Sequence, residues 1–394
     1  MRHRFIAVFV LVSTLVIACH SPERARVAQN AGPWNLAELR RPPGVTWGSK
    51  TGAVQELYYE GEPLQQKATR VFAYLGRPAQ GRGPFPAVVL VHGGGGKAFK
   101  EWAEHWAERG YVSLAMDLSG NGPNGRLPDG APDQSDAVKF REFGAGDVTN
   151  MWSYHAVADV IRGHSLLASL PEVDPARVAI TGISWGGYLT CIVAGLDHRL
   201  KAAVPVYGCG FLGDDSVWKD GSLARMTPEA RALWLHEFDP SQYLGATKCP
   251  ILFLNGSHDF AYPFDSYQKS YRLVKPELRH VSVVMKLPHG HIWTFPEVDQ
   301  FIDRALQHKP FPEIGPLKAE GQIVEGKSTE ALQSASLNYT TNSGPWQKRE
   351  WTTIPATISE KSIKAELPKS TPLVYFITAT NRDGLRISSE YFER

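Results

Sequence analysis

Residues 177–187, Arg-Val-Ala-Ile-Thr-Gly-Ile-Ser-Trp-Gly-Gly, constrain the fold of this chain more than any other stretch. They begin with an apolar, partly β-branched run, which is typical of a strand buried on both faces. Gly182 to Gly186 then fit the pattern G-x-S-x-G, and an apolar helical stretch follows them. A strand that turns sharply into a helix needs glycines beside the bend, because no side chain fits between the two backbones. The stretch therefore predicts a strand-to-helix turn with Ser184 at its tip.

A serine at such a turn can act as a nucleophile, and the helix that begins there offers free N–H groups to a developing negative charge. The same residues also fit a glycine-rich helix start in which Ser184 is only the N-cap. The rest of the chain must decide between the two, because a serine hydroxyl is a poor nucleophile at neutral pH. It needs a base within hydrogen-bond reach, and a carboxylate must orient that base.

Strands and helices alternate on both sides of this turn. Two runs of alternating polarity, 53–59 and 68–75, predict antiparallel opening strands. Apolar runs and helical periodicity then predict strands at 87–91, 112–116, 178–181, 202–207, 251–254 and 280–287 and helices at 148–170, 262–274 and 296–308. This alternation predicts an α/β fold, a doubly wound and mostly parallel sheet, for a catalytic domain at 48–309. The insertion 208–249 is expected to cap a pocket.

Two later loops contain candidates for the acid and the base. In doubly wound hydrolases the acid and then the histidine follow the nucleophile, each on a loop that leaves the carboxyl end of a strand. Asp259 follows one predicted strand and is the predicted acid, although it also fits the N-cap of the next helix. The following strand leads into His289-Gly290-His291. We predict His291 as the base, with His289 as the alternative or as a supporting donor.

A glycine-rich turn, His92-Gly93-Gly94-Gly95-Gly96, follows the first of the parallel strands. Glycines let the backbone approach a substrate and leave its amides open. We predict that the amides of Trp185 and Gly94 bind the oxyanion of a tetrahedral intermediate, with Gly93 as the alternative to Gly94. His92 is expected to be a structural turn residue. The turn does not fit a phosphate-binding loop, because it has no Gly-Lys-Ser/Thr ending.

With these residues in place, residues 50–308 resemble the α/β-hydrolase fold. The run from Gly182 to Tyr188 is similar to the Gly-x-Ser-x-Gly-Gly elbow of acetyl xylan esterases, dienelactone hydrolases and prolyl-oligopeptidase-like enzymes. The resemblance implies a serine hydrolase that works through an acyl-enzyme and requires no cofactor and no metal. It departs from two of these groups. Dienelactone hydrolases carry a cysteine where this chain has Ser184, and prolyl oligopeptidases carry a propeller, for which the roughly seventy residues between Cys19 and His92 leave no room.

Both departures favour an esterase. Together with the export discussed below, the resemblance suggests a small acyl group on a polysaccharide as the substrate. Two other functions stay open. One is an exported serine peptidase, and the other is a surface glycan-binding protein in which the serine, acid and histidine are idle.

The amino terminus has the pattern of a leader. Arg2, His3 and Arg4 precede an apolar run at 5–18, which is short for a membrane span. The run ends at Cys19 and resembles a bacterial lipoprotein signal, in which the cysteine becomes the lipidated first residue. An ordinary secretory leader is the alternative. Either predicts an exported protein of the cell envelope or periplasm, and the lipoprotein signal adds the lipid on Cys19 as the expected membrane contact. Residues 20–47, with four prolines, are predicted to be a tether.

Net charge and cysteine content argue against nucleic-acid binding and against a metal site built from cysteines. A formal net charge of +2 argues against a dedicated nucleic-acid-binding protein. Besides Cys19 there are three cysteines, Cys191, Cys209 and Cys249, so at most one disulfide can form and one thiol stays free. These cysteines do not have the spacing of metal ligands.

The pattern changes after a proline-containing linker near 310–316. Residues 312–394 show short alternating strands and are predicted to form a small β-sandwich, with Asn381 to Gly384 as the turn of its last hairpin. The ending resembles immunoglobulin-like or fibronectin type III modules. We expect this domain to pack on the catalytic domain or to shape its cleft, with glycan binding as the alternative.

Overall fold

A computed structural model describes residues 32–370 and 373–394. The predicted leader and its lipidation site, Cys19, lie outside the described residues. Among the helices that are described, none is both long enough and apolar enough to cross a bilayer.

The predicted catalytic domain is built on a nine-stranded sheet. In chain order, its strands and one small hairpin are β1 (Val45–Thr51), β2 (Val54–Glu60), β3 (Arg70–Gly76), β4 (Phe85–Val91), β5 (Val112–Met116), β6 (Asn121–Gly122), β7 (Gly125–Arg126), β8 (Val173–Ile183), β9 (Ala202–Val206), β10 (Ile251–Gly256) and β11 (Arg279–Val284). The order in the sheet is β1-β2-β3-β5-β4-β8-β9-β10-β11, and β6 pairs with β7. Strands β1 to β3 pair antiparallel, whereas β4, β5 and β8 to β11 pair in parallel. The predicted mostly parallel sheet with antiparallel opening strands is confirmed.

Helices cover this sheet. They are α1 (Leu36–Leu39), α2 (Lys100–Glu108), α3 (Asp136–Lys139), α4 (Trp152–Ser169), α5 (Trp185–Leu196), α6 (Pro228–Phe238), α7 (Phe264–Leu273) and α8 (Pro296–Leu306). Every residue of α5 is buried, because this helix follows the central strand β8 and packs against β8, β9 and the neighbouring helix α4. His105 of α2 is hydrogen-bonded to Asp299, and Arg109, the C-cap of α2, is ion-paired with Asp303, which joins α2 to α8.

The predicted tether, 20–47, is wrong for its last part. Trp34 is buried, and its indole N–H donates a hydrogen bond to the carbonyl oxygen of Tyr154 at 2.9 Å. Leu39 is also buried, and β1 already begins at Val45. A buried aromatic ring and an edge strand hold this segment against the sheet, so it is part of the folded domain.

The carboxyl-terminal part forms two antiparallel sheets. Its strands are β12 (Lys318–Glu320), β13 (Ile323–Lys327), β14 (Leu332–Thr340), β15 (Thr352–Pro355), β16 (Thr357–Ser359), β17 (Ser362–Glu366), β18 (Val374–Asn381), β19 (Arg386–Ser388) and β20 (Phe392–Glu393). One sheet has the order β12-β13-β17-β16 and the other β15-β14-β18-β19, with β20 also paired to β18. The predicted all-β character is confirmed, and so is the turn at Asn381, whose carbonyl oxygen accepts from the amide of Gly384. The likeness to immunoglobulin or fibronectin modules stays a prediction.

This β domain packs on α7 and β11. Glu390 forms ion pairs with Arg272 and Arg279, at 2.7 and 2.6 Å. The amide of Val283 donates to the hydroxyl oxygen of Ser388 at 2.9 Å. A second contact area is apolar and places Phe264 in a buried cluster, whose other members are Val283, Trp346, Val374, Phe376 and Tyr391. These contacts agree with the expected packing role.

The three cysteines that the structure describes are all buried thiols, and none is in a disulfide. The sequence allowed one bridge. The described part of the chain is therefore stabilised by packing and by polar contacts such as those of Asp197.

Asp197, at the end of α5, is completely buried. Its carboxylate accepts hydrogen bonds from Arg199 at 2.7 Å and from His164 Nδ1 at 2.8 Å. Burial opposes its ionisation, but these hydrogen bonds outweigh burial and hold the pKa of Asp197 well below its ordinary value. The ionised carboxylate therefore stabilises the fold.

We predict that Asp197→Asn lowers the free energy of unfolding by about 3–5 kcal/mol at pH 7, because it takes the buried negative charge away from His164 and Arg199. A carboxylate with a depressed pKa stabilises the folded state above its unfolded pKa, and this contribution is lost as pH falls through the folded pKa. The difference between variant and wild type should thus shrink below about pH 4. Urea unfolding between pH 3 and 7 measures it.

The matched control is Asp174→Asn, which removes the partner of Arg177 in a partly exposed pair. This substitution should change the free energy of unfolding by less than about 1 kcal/mol. Equal losses in both variants would contradict the role given to Asp197.

Candidate active site

Ser184 lies at the turn between β8 and α5, in a backbone conformation that side chains rarely adopt. Its φ is 57° and its ψ is −117°. A Cβ atom on Gly182 would overlap the carbonyl oxygen of Gly186, and a Cβ atom on Gly186 would overlap that of Val91. The two glycines therefore allow strand and helix to approach, as the sequence pattern predicts. The strained turn lifts the Ser184 side chain out of the sheet.

The Ser184 hydroxyl bonds to a histidine and not to the helix. Ser184 occupies the N-cap position of α5, but its side chain makes no capping hydrogen bond. Its Oγ lies 2.8 Å from Nε2 of His289, and Nδ1 of His289 lies 2.6 Å from Oδ2 of Asp259. The structure thus brings Ser184 and Asp259 together, as expected, but through His289. The prediction of His291 as the base is wrong.

Asp259 is held by its own loop. Its Oδ1 accepts hydrogen bonds from the amides of Ala261 and Tyr262, at 2.9 and 2.8 Å, which leaves Oδ2 for His289. The alternative role, capping of α7, does not apply, because the N-cap of that helix is Pro263. An ionised Asp259 requires the proton on Nδ1 of His289, so Nε2 is free to accept the proton of the Ser184 hydroxyl.

Aromatic residues enclose the His289 ring. Tyr207 stacks on it with ring centroids 4.4 Å apart, and Phe260 meets it edge-on at 4.9 Å. The hydroxyl of Tyr207 donates to the carbonyl oxygen of Pro288 at 3.0 Å, which ties this ring to the loop that carries the histidine. The sequence analysis did not single out either aromatic residue. Their positions could have suggested them, because Tyr207 directly follows β9 and Phe260 directly follows Asp259.

His291 contacts the glycine-rich turn instead of the serine. Its Nε2 is buried and has no hydrogen-bond partner among the residues that the structure describes. This atom would lie 3.2 Å from a Cβ placed on Gly93 and 2.6 Å from one placed on Gly96. Burial lowers the pKa of His291. One glycine separates the two histidines, and the torsions of this loop, which no sequence pattern encodes, decide which ring reaches Ser184.

His92 fixes the glycine-rich turn, as expected of a structural residue. Its Nε2 accepts from the amide of Leu118 at 2.8 Å, so Nδ1 carries the proton and donates to the carbonyl oxygen of Gly93 at 2.8 Å. Burial lowers the pKa of His92 to about 4, so it stays neutral. In a trans peptide the C=O and the next N–H point in opposite directions, so anchoring this carbonyl also orients the amide of Gly94.

The two predicted oxyanion donors lie close together. A Cβ on Gly94 would lie 2.8 Å from Cδ1 of Trp185. Trp185 is the first residue of α5, where backbone amides have no acceptor within the helix. That the amides of Trp185 and Gly94 serve a negative oxygen near Ser184 stays a prediction.

Trp185 is also the centre of a buried aromatic cluster. Its ring centroid lies 4.5 Å from that of Trp218 and 5.6 Å from that of Trp152. Lys139 places Nζ 4.0 Å from the ring centroid of Trp185 and 3.0 Å from Oδ1 of Asp136, and burial lowers the pKa of this lysine to about 8. Trp218 belongs to the insertion 208–249, so this insertion contacts the site, as expected of a cap.

Two family models match the catalytic part of the chain. The family described as Acetyl xylan esterase (AXE1) matches residues 44–218, and the Prolyl oligopeptidase family matches residues 140–306. Both matches contain Ser184, and the second also contains Asp259 and His289. The chain is thus related to hydrolases of the esterase and peptidase types.

Curated relatives agree with these families. The chain is 28% identical over 179 residues to the acetyl esterase Axe7A of Xylanibacter ruminicola, which covers 43% of this chain and 40% of that protein. It is 26% identical over 220 residues to the uncharacterized peptidase YuxL of Bacillus subtilis, which covers 52% of this chain and 31% of that protein. The chain therefore spans less than half the length of both relatives.

Solved structures support the fold. The acetyl xylan esterase from Paenibacillus sp. R4 is similar with a TM-score of 0.57 and 21% identity, over 70% of this chain and 92% of that one. Acetyl xylan esterase 1 from Thermoanaerobacterium sp. JW/SL YS485 has a TM-score of 0.53 and 18% identity, over 71% and 95% of the two chains. At such identities the likeness concerns the fold, and the expected α/β-hydrolase type of fold is confirmed.

The geometry predicts that the reactivity of Ser184 depends on His289 and not on His291. We expect His289→Gln to slow covalent labelling of Ser184 by a fluorophosphonate about 10²–10⁴-fold, because the hydroxyl loses its proton acceptor. His291→Gln should retain most of the labelling rate. Gel-based labelling kinetics measure both variants.

Thermal unfolding of the two variants serves as the control for folding. Fast labelling of a folded His289→Gln variant, together with loss of labelling in His291→Gln, would restore the assignment made from the sequence.

Proposed function

We propose that this chain, a protein of the α/β-hydrolase type related to acetyl xylan esterases and prolyl oligopeptidases, is a serine hydrolase that cleaves carboxylic esters. One observation carries the proposal, the continuous linkage from Ser184 Oγ through His289 to Asp259. A serine, a histidine and a carboxylate linked in this order form the set that acyl transfer to water requires.

In the first half of the reaction, Ser184 Oγ attacks the ester carbonyl while its proton passes to Nε2 of His289. The new C–O bond gives a tetrahedral intermediate, and Asp259 stabilises the imidazolium without accepting its proton. The carbon–oxygen bond to the alcohol then breaks, and the departing oxygen takes the proton from Nε2. The products of this half are the free alcohol and an acyl-serine.

In the second half, water repeats the attack. His289 accepts a proton from the water, the second tetrahedral intermediate collapses, and Ser184 leaves with that proton while the carboxylic acid departs. In both halves the amides of Trp185 and Gly94 stabilise the negative oxygen, and the loss of one such donor costs about 2.7–4 kcal/mol of transition-state stabilisation. His92 supports this role, because it holds the peptide that carries the Gly94 amide.

A small acyl group agrees with the packing beside the nucleophile. Trp152, Trp185 and Trp218 are all buried, and the ring of Trp185 contacts both of the others, so these rings fill space that a long acyl chain would need. The matched acetyl xylan esterase family and the relative named an acetyl esterase point in the same direction. We therefore propose an acetyl group or another small acyl group, attached to a polysaccharide, as the substrate.

The location follows from the sequence pattern alone. The basic residues Arg2 and Arg4, the apolar run after them and Cys19 support export and attachment to the cell envelope by a lipid on that cysteine. An exported protein would meet polysaccharide outside the cytoplasm, which is consistent with the proposed substrate.

A serine peptidase is the second candidate. The match to the Prolyl oligopeptidase family favours it, because this match spans all three of the linked residues, whereas the esterase match ends at residue 218. Both candidates use the same acyl-enzyme chemistry and differ in the leaving group, an alcohol or an amine.

We predict that Ser184→Ala abolishes hydrolysis of p-nitrophenyl acetate, because it removes the oxygen that forms the acyl-enzyme, while thermal unfolding stays close to that of the wild type. In a substrate panel, the wild type should cleave acetyl and butyryl esters far faster than peptide amides. Initial rates with purified protein measure both.

Turnover retained by Ser184→Ala would contradict the nucleophile. A panel in which peptide amides are the better substrates would favour the peptidase. Absence of both activities and of fluorophosphonate labelling would favour a glycan-binding protein.

A further inference from the structure

Four large apolar side chains are exposed among the residues that the structure describes, and two of them lie beside the candidate active site. Phe260 is 55% exposed and Val217 is 46% exposed. The Phe260 ring meets the His289 ring edge-on at 4.9 Å, and the amide of Val217 donates to the carbonyl oxygen of Ala261 at 3.3 Å. We call Phe260 and Val217 the apolar rim.

The loop that carries Phe260 is held on both sides. Asp259 accepts from the amides of Ala261 and Tyr262, and Nδ2 of Asn255 donates to the carbonyl oxygen of Tyr262 at 3.0 Å. Asp259 and Tyr262 point inward and are buried, whereas Phe260 between them faces solvent. A large ring on an anchored turn is therefore presented at a fixed place beside His289.

The chemistry of His289 places the alcohol portion of an ester near this ring. Nε2 must deliver its proton to the departing oxygen, so that oxygen lies within about 3 Å of Nε2. The ester carbonyl oxygen has to face the amides of Trp185 and Gly94, and Tyr207 covers one face of the imidazole. Three aromatic rings of the described residues contact the imidazole, and of these Tyr207 and Tyr262 are buried whereas Phe260 is exposed, so the alcohol extends towards Phe260.

We propose that the apolar rim is the subsite for the alcohol portion of the substrate and that it takes the nonpolar face of a pyranose ring. The inference rests on the proposed esterase function and identifies where the leaving group of that reaction binds. An aromatic ring offers a flat apolar surface to the C–H groups of a sugar, and burial of both surfaces on contact stabilises the complex. The hydroxyl groups at the edge of the sugar stay in water.

The leaving group provides a sharp test, because it is present only until the acyl-enzyme forms. A loss at the alcohol subsite must lower kcat/KM for the esters that use it and leave hydrolysis of the common acetyl-enzyme unchanged. A structural disturbance of His289 would slow both steps for every ester. The two causes are thus separable by kinetics.

The experiment compares an acetylated xylooligosaccharide, phenyl acetate and methyl acetate as substrates of wild type and variants. For Phe260→Ala we expect the ratio of kcat/KM for the sugar ester to that for methyl acetate to fall about tenfold, the size expected for one lost ring contact. Val217→Ala should lower the same ratio less, and Phe260→Trp should restore it. The rate of acetyl-enzyme hydrolysis, followed in single-turnover experiments, reports any effect of the substitution on His289 itself, which acts equally on the three esters and cancels in the ratio.

Trp47→Ala is the matched control, since Trp47 is an aromatic residue, 45% exposed, on β1 at the edge of the sheet farthest from β11. This variant should keep the ratio of the wild type. Equal losses on all three esters, a loss with phenyl acetate alone, or an unchanged ratio in Phe260→Ala would each overturn the proposal. A wild type that cleaves none of the esters would overturn the proposed function itself, and the alcohol subsite with it.

Discussion

The rest of the structure depends on the close approach of β8 and α5 at Ser184. A residue with φ of 57° and ψ of −117° costs of order 1–3 kcal/mol, so the surroundings must enforce it. They do so in two ways. The strand lies in the middle of the sheet, paired in parallel on both sides, and the helix after it is buried along its whole length. Gly182 and Gly186 then supply the space, and the strain is what presents the hydroxyl to His289.

The fold was predictable from the sequence because buried parallel strands read as apolar runs, and their alternation with helical periods leaves few topologies. The segment around Trp34 was not. Its prolines and weak periodicity suggest a tether. Yet Trp34 is buried, and its indole donates a hydrogen bond to Tyr154, 120 residues along the chain. A contact at that distance leaves no local trace, because it depends on where another element places its carbonyl group.

The candidate site also has residues that were predictable from the sequence and a residue that was not. Ser184 and Asp259 were predictable because each follows a strand end, and the strand order fixes where such ends meet. The choice between His289 and His291 was not, since both residues have the same type and lie on the same loop. The two histidines differ in their partners. Nδ1 of His289 bonds to Oδ2 of Asp259, whereas Nε2 of His291 lies against the glycine-rich turn. Such partners exist only once the loops are folded.

The β domain bears on the chemistry although it contributes no group to it. It packs on α7, which begins at Phe264 shortly after Asp259, and on β11, which ends at Val284 shortly before His289. Through Glu390 it joins the two elements with ion pairs to Arg272 and Arg279. An acid and a base on separate loops hold a 2.6 Å contact only if the elements behind those loops do not shift against each other. A domain that spans both elements restrains that shift, and so it stabilises the contact between Asp259 and His289 that the proposed mechanism requires.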